Sequence, residues 1–522
     1  MASRLAAPLG GIAAGAMTLG VAEIGAVLLT RTQGTAGTPS PLLAVGGAFV
    51  DRTPSWLKDF AIETFGTNDK IALFVGMGLT LLVACAVLGE IASRFRTLGL
   101  ILFAIVGAIG SAAVLTRPGS VALDMVPTIV GTLVGLMVLA AMGRASENAR
   151  VAAYDPQAPS RRGVVAAGAG LSIVGGAALV WGRMQDQAQQ AVRVAREAIG
   201  GPTAANPVTV PADADLGIDG LASYISPNDN FYRIDTALSV PQVDPATWTL
   251  RVHGMVENEV EISFDELLDQ EMIQSLTTLT CVSNTVGGEL IGNAVFTGWP
   301  IRELLARAGV QDGADMVLST SIDGWTAGTP IEALTDDRNS LLAVWMNGEP
   351  LPAQHGFPVR MVVPGLYGYV SATKWVVDMK VTTFADDEGY WTPRGWTALG
   401  PIKTASRIDV PRSGANVAAG TTPIAGVAWD QHTGIDKVEV KVDDGEWQEA
   451  DLASEPSIDS WRQWTLPWEA TSGDHTITVR ATNADGETQT SKLRHQPPAV
   501  QQVGTASTSA SPGSCANTWA GA

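Results

Sequence analysis

Cysteine is nearly absent from this 522-residue chain: Cys85, Cys281 and Cys515 are the only three, too far apart for a disulfide framework or a paired redox motif. Low cysteine usage suits an exported protein as well as a cytosolic one, so it leaves the compartment open. Histidine is also scarce, with five in all and none among residues 1–200. Apolar helices without histidine cannot hold a bis-histidine haem, so no haem is expected in this chain. Basic residues are short in the second part. Residues 201–522 carry 18 Lys+Arg against 41 Asp+Glu, whereas residues 1–200 carry 15 against 11. An acidic soluble part argues against nucleic acid as a partner, because phosphate binding needs a basic face.

What the first part has is hydrophobic length. Apolar runs recur at about 9–30, 71–89, 98–116, 121–142 and 163–182. Each can cross ~30 Å of hydrocarbon as a helix, and they are too numerous for a cleaved signal peptide. Residues 41–65 are shorter and amphipathic, as expected of an interfacial or re-entrant piece. Arg94 and Arg96 follow the second run; Arg144, Arg150, Arg161 and Arg162 precede the fifth. Placing both loops in the cytoplasm sets five crossings with everything after about 183 outside. Ser160-Arg161-Arg162-Gly163 resembles a twin-arginine export signal, or is simply a positive-inside flank. Glu23 and Asp124 lie within spans and are candidates for function there. Gly168-Ala-Gly170 falls inside a span, which excludes a dinucleotide loop.

The second part mixes strands and short helices without a βαβ rhythm, so an α+β domain is expected at 221–403 after a linker at 184–220. Thr247–His253 alternates as a half-buried strand, Ser263–Glu266 is a capping box, Pro300 opens a helix, and Leu341–Met346 is an apolar strand running into an Asn347-Gly348 turn. From 404 to 495 short strands at 424–429, 435–442, 461–468 and 474–482 read as an immunoglobulin-like sandwich. The Ala/Ser/Gly/Pro-rich tail, 496–522, is expected to be disordered, with Cys515 an unpaired surface thiol.

Two stretches carry chemistry. Cys281 sits in Thr-Cys281-Val-Ser-Asn-Thr-Val-Gly-Gly with no second cysteine or histidine nearby. A lone thiol of this kind is either a small core hydrophobe or a thiolate ligand to one soft metal. His355-Gly-Phe-Pro-Val-Arg360 and Ser371-Ala-Thr373-Lys374-Trp375 place three donors around an apolar strand. Buried cations need a partner, which is either a local carboxylate or a bound anion such as a phosphate.

Together with the Met346-Asn-Gly-Glu-Pro-Leu-Pro352 turn and Asp229-Asn-Phe-Tyr-Arg233, these motifs resemble the sulfite oxidase family of molybdopterin enzymes. The likeness runs over about 221–495 and leaves out the membrane part. It implies that Cys281 is the protein thiolate on molybdenum, beside the pterin dithiolene, with Arg233 at the reacting end. It further implies that Asp229, Tyr232, Arg233, His355, Arg360, Ser371, Thr373 and Lys374 hold the molybdenum–molybdopterin cofactor. The sandwich resembles the family's dimerisation domain, which makes a homodimer an expectation. Two positions depart from the family's sulfite-oxidising pattern. Val344 stands where a tyrosine is usual and Val286 where an arginine is usual, which removes positive donors for a dianion. Arg233, Arg394, Lys403 or Arg407 are the cations available to compensate. The expected activity is oxygen-atom transfer at molybdenum on a small oxyanion or an S- or N-oxide, with a separate cytochrome or quinone as electron partner. A non-catalytic adhesion or sensor protein that kept the fold is the alternative.

Overall fold

A computed structural model describes residues 2–33, 38–54, 69–117, 119–151, 187–491 and 506–512, with short pieces at 57, 60, 64–65 and 166–177 apart from 168. It divides into two compact units, one built from residues 1–191 with two short later segments and one from most of the remainder.

In the first unit, α1 (Ala2–Gln33), α2 (Pro41–Arg52), α3 (Asp69–Arg94), α4 (Arg96–Leu115) and α5 (Val126–Val151) pack together, α1 chiefly against α3 and α5. Among the described residues, four stretches are long and apolar enough to cross a membrane: Ala6–Thr30, Lys70–Arg94, Arg96–Leu115 and Ala122–Arg144. They coincide with the first four expected crossings. The fifth, at 163–182, lies partly outside the described residues, as do Arg161 and Arg162. Small residues let α1 approach its neighbours closely: a Cβ on Gly11 would sit 1.9 Å from the Cys85 carbonyl oxygen. The two carboxylates in spans have structural work. Ser40 Oγ donates to Glu23 Oε1 at 2.7 Å while capping α2, and Asp124 accepts from the Val121 N–H at 3.0 Å. Both face helix N-termini, where the unsatisfied N–H groups favour negative charge.

The second unit opens within α6 (Gln187–Ala198), at Val192. Its α+β part has two sheets. One runs β2 (Val260–Ser263), β1 (Thr249–Gly254), β10 (Val376–Thr382), β5 (Met316–Ser321) and β6 (Thr326–Pro330), with β1 and β10 parallel. The other runs β3 (Ile273–Thr280), β4 (Ile291–Pro300), β7 (Leu341–Met346) and β8 (Glu349–Pro350), with β9 (Arg360–Val362) beside β7. The Ser263 capping box forms, and the Asn347-Gly348 turn takes positive φ at both residues (53° and 79°), as a tight hairpin turn requires. Two further sheets make the sandwich: β11 (Ala405–Val410), β13 (Gly420–Trp429), β17 (Arg462–Ala470) and β16 (Asp451–Leu452) on one face; β12 (Ala415–Val417), β19 (Ala506–Pro512), β18 (His475–Asn483), β14 (Ile435–Val442) and β15 (Gln448–Glu449) on the other. Ile424, Val438, Val440, Trp464, Ile477 and Val479 fill the space between them.

Two expectations differ from what is seen. Residues 205–220 are not a free linker: Ala214 is fully buried, Val208 and Val210 pack with Trp429 and Trp461, and the Leu216 N–H donates to Gln463 Oε1 at 2.7 Å. Irregular spacing around the prolines hides such burial from a periodicity reading. The tail contributes a strand, Ala506–Pro512, paired antiparallel with β18. Its backbone pairs with β18 on one side and β12 on the other, covering an otherwise open edge of β18. Cys515 and the rest of the tail lie outside the described residues.

Candidate active site

Cys281 follows the last residue of β3. Its N–H donates to the Leu290 carbonyl at 3.0 Å, and its own carbonyl accepts from Asn284 N–H, so the loop 281–290 closes on itself. Asn284 Oδ1 accepts from the Leu290 N–H at 2.9 Å, which fixes the same loop from inside. Burial pushes the Cys281 thiol up; hydrogen bonds from Ser283 and the charge of Lys374 oppose it. The loop is held from the sandwich. Val286 packs on the sandwich core, and Arg407, ion-paired to Asp409, donates from Nη1 to the Gly288 carbonyl at 3.0 Å. Gln431 Nε2 donates to the Thr278 carbonyl (2.9 Å) and to Thr280 Oγ1 (3.1 Å), and Trp461 N–H donates to Thr278 Oγ1 at 2.7 Å. The end of β3 is therefore set by two domains.

A cation cluster lies close by. Arg360 is 4% exposed and donates only to backbone carbonyls, Met361 O at 3.3 Å and His355 O at 3.2 Å. It has no carboxylate partner among the described residues, and burial brings it down to about 10. Lys374 Nζ reaches Asp235 Oδ2 at 2.7 Å and the Gln354 carbonyl at 3.3 Å, and burial lowers it to about 8 despite that ion pair. Arg233 Nε shares the same Asp235 oxygen at 2.9 Å. Two cations thus share one carboxylate, with Arg360 close enough to act on Lys374. His355 Nε2 lies 3.0 Å from the Asn228 carbonyl, which can only accept, so Nε2 carries the proton and Nδ1 is left as an acceptor. Burial, reinforced by Arg360, Lys374 and Arg233, holds His355 neutral, down at about 4. Tyr232 is pushed well above its ordinary value by burial and by Cys281, which places its ring at the same centre.

Local backbone brings these groups together. Gly356 has φ 118°, and a Cβ there would meet Arg360 Cβ at 2.9 Å and Lys374 Cβ at 3.2 Å. Only glycine lets the His355 turn approach both cations. The Asn347 side chain accepts from Val295 N–H (2.9 Å) and donates to Ser226 O (3.0 Å) and Asn228 Oδ1 (2.8 Å), pinning the segment that carries Tyr232 and Arg233. The hairpin turn is thus an anchor for the cluster as well as a connection.

Cys281, Tyr232, Arg233, His355, Arg360 and Lys374 converge. The other three nominated residues do not present side chains in the same way. Asp229 is exposed and makes no side-chain hydrogen bond among the described residues. Ser371 Oγ donates to the Tyr367 carbonyl (2.9 Å), and Thr373 Oγ1 bonds Ser319 Oγ (2.7 Å), so both buried hydroxyls are engaged within the protein. Of the four compensating cations, Arg233 and Arg407 are ion-paired, Arg394 stacks over Tyr390 with Cζ 3.7 Å from the ring centroid, and Lys403 is exposed. Asp235, Asn228, Asn347 and Gln431 escaped the sequence reading as functional groups. Only Asp235, two residues after Arg233, had a signal there.

Residues 237–391 match the model of the oxidoreductase molybdopterin binding domain family, and residues 405–479 match the bacterial Ig domain. An uncharacterized oxidoreductase of Bacillus subtilis, YuiH, is 32% identical over 157 residues, covering 30% of this chain and 76% of that protein. Mouse mitochondrial sulfite oxidase is 31% identical over 290 residues. This chain belongs to the sulfite oxidase family of molybdopterin-dependent oxidoreductases. The alignment with the mouse family member takes in 47% of this chain and 53% of the relative, so the chain spans about half the length of the sulfite oxidases it matches. Among solved structures, the sulfane dehydrogenase SoxCD of Paracoccus pantotrophus overlaps with 56% of this chain and 86% of its own, at 21% identity and a TM-score of 0.46. Asp229, Tyr232 and Arg233 precede the family-model match, while Cys281, His355, Arg360, Ser371, Thr373 and Lys374 fall inside it.

The residues present fit the family's cofactor. A soft sulfur donor stands beside a cluster whose three cations exceed its one carboxylate by two charges, the balance a phosphate monoester dianion would restore.

Proposed function

We propose that this chain is a membrane-anchored molybdenum oxidoreductase that transfers an oxygen atom to or from a small sulfur or nitrogen compound, using a separate electron partner. The observation that carries this reading is the buried Arg360, without a carboxylate partner among the described residues, beside Lys374, whose charge reaches Cys281. A guanidinium kept so deep without a counter-ion is costly unless an anion completes it.

In this reading Cys281 Sγ is the protein ligand to molybdenum. The bound cofactor supplies a metal that exchanges an oxygen atom with substrate and electrons with the partner. The chain's own groups do the rest. Arg360 offers a planar fork to a phosphate and Lys374 a point charge, and phosphate raises the affinity of both for their protons. His355, neutral and fixed by Asn228, would offer Nδ1 as an acceptor to the cofactor. Tyr232 is buried at the same site, and Arg233, about a third exposed, is held on Asp235. This reading assigns electron delivery to another protein or a quinone. The spans anchor the catalytic unit, and counting the apolar run at 163–182 as a fifth crossing puts that unit on the extracytoplasmic side.

Metal analysis of detergent-purified protein tests the core of this. Stoichiometric molybdenum is expected, and protein made with ample cofactor yet lacking the metal would refute it. A reporter fused after residue 200 is expected to be active outside the cytoplasm, and activity only inside would overturn the orientation.

A further inference from the structure

Resting on the reading of Cys281 as the molybdenum ligand, we propose that His432 is a positioning residue for it. With Asp459 it closes a clamp from the sandwich on the strand that ends at Cys281, and its protonation sets how firmly the clamp holds. β3 pairs with β4 on one side, and among the described residues no strand pairs with its other side. That open edge is bonded instead by two sandwich loops, which satisfy backbone groups an edge would leave free. Loop 457–461 accepts the Thr278 N–H at the Asp459 carbonyl (2.9 Å) and donates the Trp461 N–H to Thr278 Oγ1 (2.7 Å). Loop 430–434 sends Gln431 Nε2 to the Thr278 carbonyl (2.9 Å) and to Thr280 Oγ1 (3.1 Å), on the residue before Cys281.

His432 joins these two loops to each other. Its N–H donates to the Ile458 carbonyl at 3.2 Å, and its Nδ1 lies 3.3 Å from Asp459 Oδ1. It does so at φ 71°, a left-handed conformation that a non-glycine residue keeps only where its surroundings hold it. A neighbouring turn fits closely underneath. Gly365 has φ 82°, and a Cβ on it would come within 3.0 Å of His432 Cβ and 3.3 Å of Arg338 Nη1. The same turn runs on to Gly368, where a Cβ would lie 3.8 Å from the Thr280 carbonyl oxygen and 3.9 Å from the Tyr232 hydroxyl. His432 therefore touches both the loop that bonds the Cys281 strand and the turn that leads to Tyr232.

The hydrogen bond to Asp459 raises the His432 imidazole above its ordinary 6.5, with help from the Asp459 and Asp336 charges; partial burial and Arg338 oppose it. Arg338 is itself paired with Asp336 at 2.7 Å and bonded to the Pro364 carbonyl at 3.0 Å, which blunts its opposition. A histidine raised in the closed clamp contributes its full hold below pH 6.5 and loses it as pH rises through the raised value. Once His432 is neutral, Asp459 keeps a hydrogen bond but loses its ion pair. The loop that holds Thr278 then opens more often, and the strand end carrying Cys281 loosens with it.

Hydrogen exchange of full-length protein in detergent, corrected for the intrinsic rate at each pH, reads the clamp in peptides covering 273–281 and 457–461. Protection should fall at least about threefold between pH 5.5 and pH 8.5. His432→Asn keeps a residue that tolerates positive φ and removes the titration, so its protection should be the same at both pH values and match wild type at pH 8.5. Asp459→Asn keeps the loop and its backbone acceptor and should give the same flat profile. On molybdenum-loaded proteins, His432→Asn should release the metal at least about threefold faster than wild type at pH 5.5 and at the wild-type rate at pH 8.5, a split that a purely structural loss would not produce. Wild-type protection unchanged between the two pH values, or a His432→Asn profile that still titrates, would overturn the clamp while leaving the cofactor reading intact. Metal release that ignores a titrating clamp would overturn the positioning role. Protein that exchanges as expected but never holds molybdenum would overturn the cofactor reading, and with it the role in placing a ligand.

Discussion

Gln431 is where the sandwich grips the strand that ends at Cys281, and conservative replacements there separate hydrogen bonding from packing. Its amide orientation is fixed, because the Thr278 carbonyl at 2.9 Å accepts only from nitrogen. The amide oxygen is buried without a partner. Gln431→Met keeps the volume and removes both groups. Losing a donor to a buried carbonyl costs roughly 1–3 kcal/mol, but deleting an unpaired buried acceptor returns a comparable amount. The net is expected within about 1 kcal/mol of wild type. Gln431→Glu keeps the shape but turns a buried carboxylate oxygen on the Thr278 carbonyl. An uncompensated buried charge costs roughly 3–5 kcal/mol. Such a carboxyl has a folded pKa above its unfolded one, so the variant's stability is intact below about pH 4 and is lost as pH rises. Melting in detergent, followed by tryptophan fluorescence, should show a small shift for Met and a loss of several degrees for Glu at pH 7, on the order of 2 °C per kcal/mol. Equal losses for the two variants would refute the assignment, since packing alone would then govern the site. A Glu variant as stable as wild type at pH 7 would refute it as well.

Other outcomes follow from the same geometry. Cys281→Ser should retain the pterin, because the cation cluster is untouched, while activity falls below detection; fluorescence of released pterin against turnover checks this. Gly356→Ala forces a side chain into φ 118° and 2.9 Å from Arg360 Cβ, so a loss of about 2 kcal/mol or more with reduced cofactor content is expected, and a variant with wild-type content and melting would contradict it. His355 has its folded pKa depressed from 6.5 to about 4, so cofactor-free protein should be most stable above pH 6.5 and weaken as pH falls toward 4; His355→Gln should flatten that slope in a pH series of melts. Inorganic phosphate should stabilise cofactor-free protein more than chloride at equal ionic strength, and Arg360→Met should abolish the difference.

The fold was legible wherever periodicity or turn chemistry is strong. The apolar runs marked the four spans, the Lys437–Val442 and His475–Arg480 alternation marked sandwich strands, and Asn347-Gly348 marked a hairpin turn. It was illegible where burial has no period, as at Val208, Val210 and Ala214, and where edge pairing rather than composition decides, as at Ala506–Pro512. Among site residues, charge and order of motifs brought out Cys281, His355, Arg360 and Lys374. Ser371 and Thr373 looked equivalent to them in sequence, because a hydroxyl's partner cannot be read from its position in the chain.

By itself the sequence determined the division into an apolar helical part and an acidic soluble part, the α+β and sandwich classes, and the thiolate-plus-cation composition of the site. These rest on hydrophobicity, turn preference and charge, which act locally along the chain. Tertiary structure alone decided that Asp235 balances two of three cations, that Asn347 anchors the Tyr232 segment, and that Val286 and Arg407 bind the Cys281 loop to the sandwich. Apart from Asp235–Arg233, two residues apart, the hydrogen-bonded pairings join residues 52 to 139 positions apart, and the chain carries no local signal for a contact whose energy exists only once the backbone has brought both partners out of water.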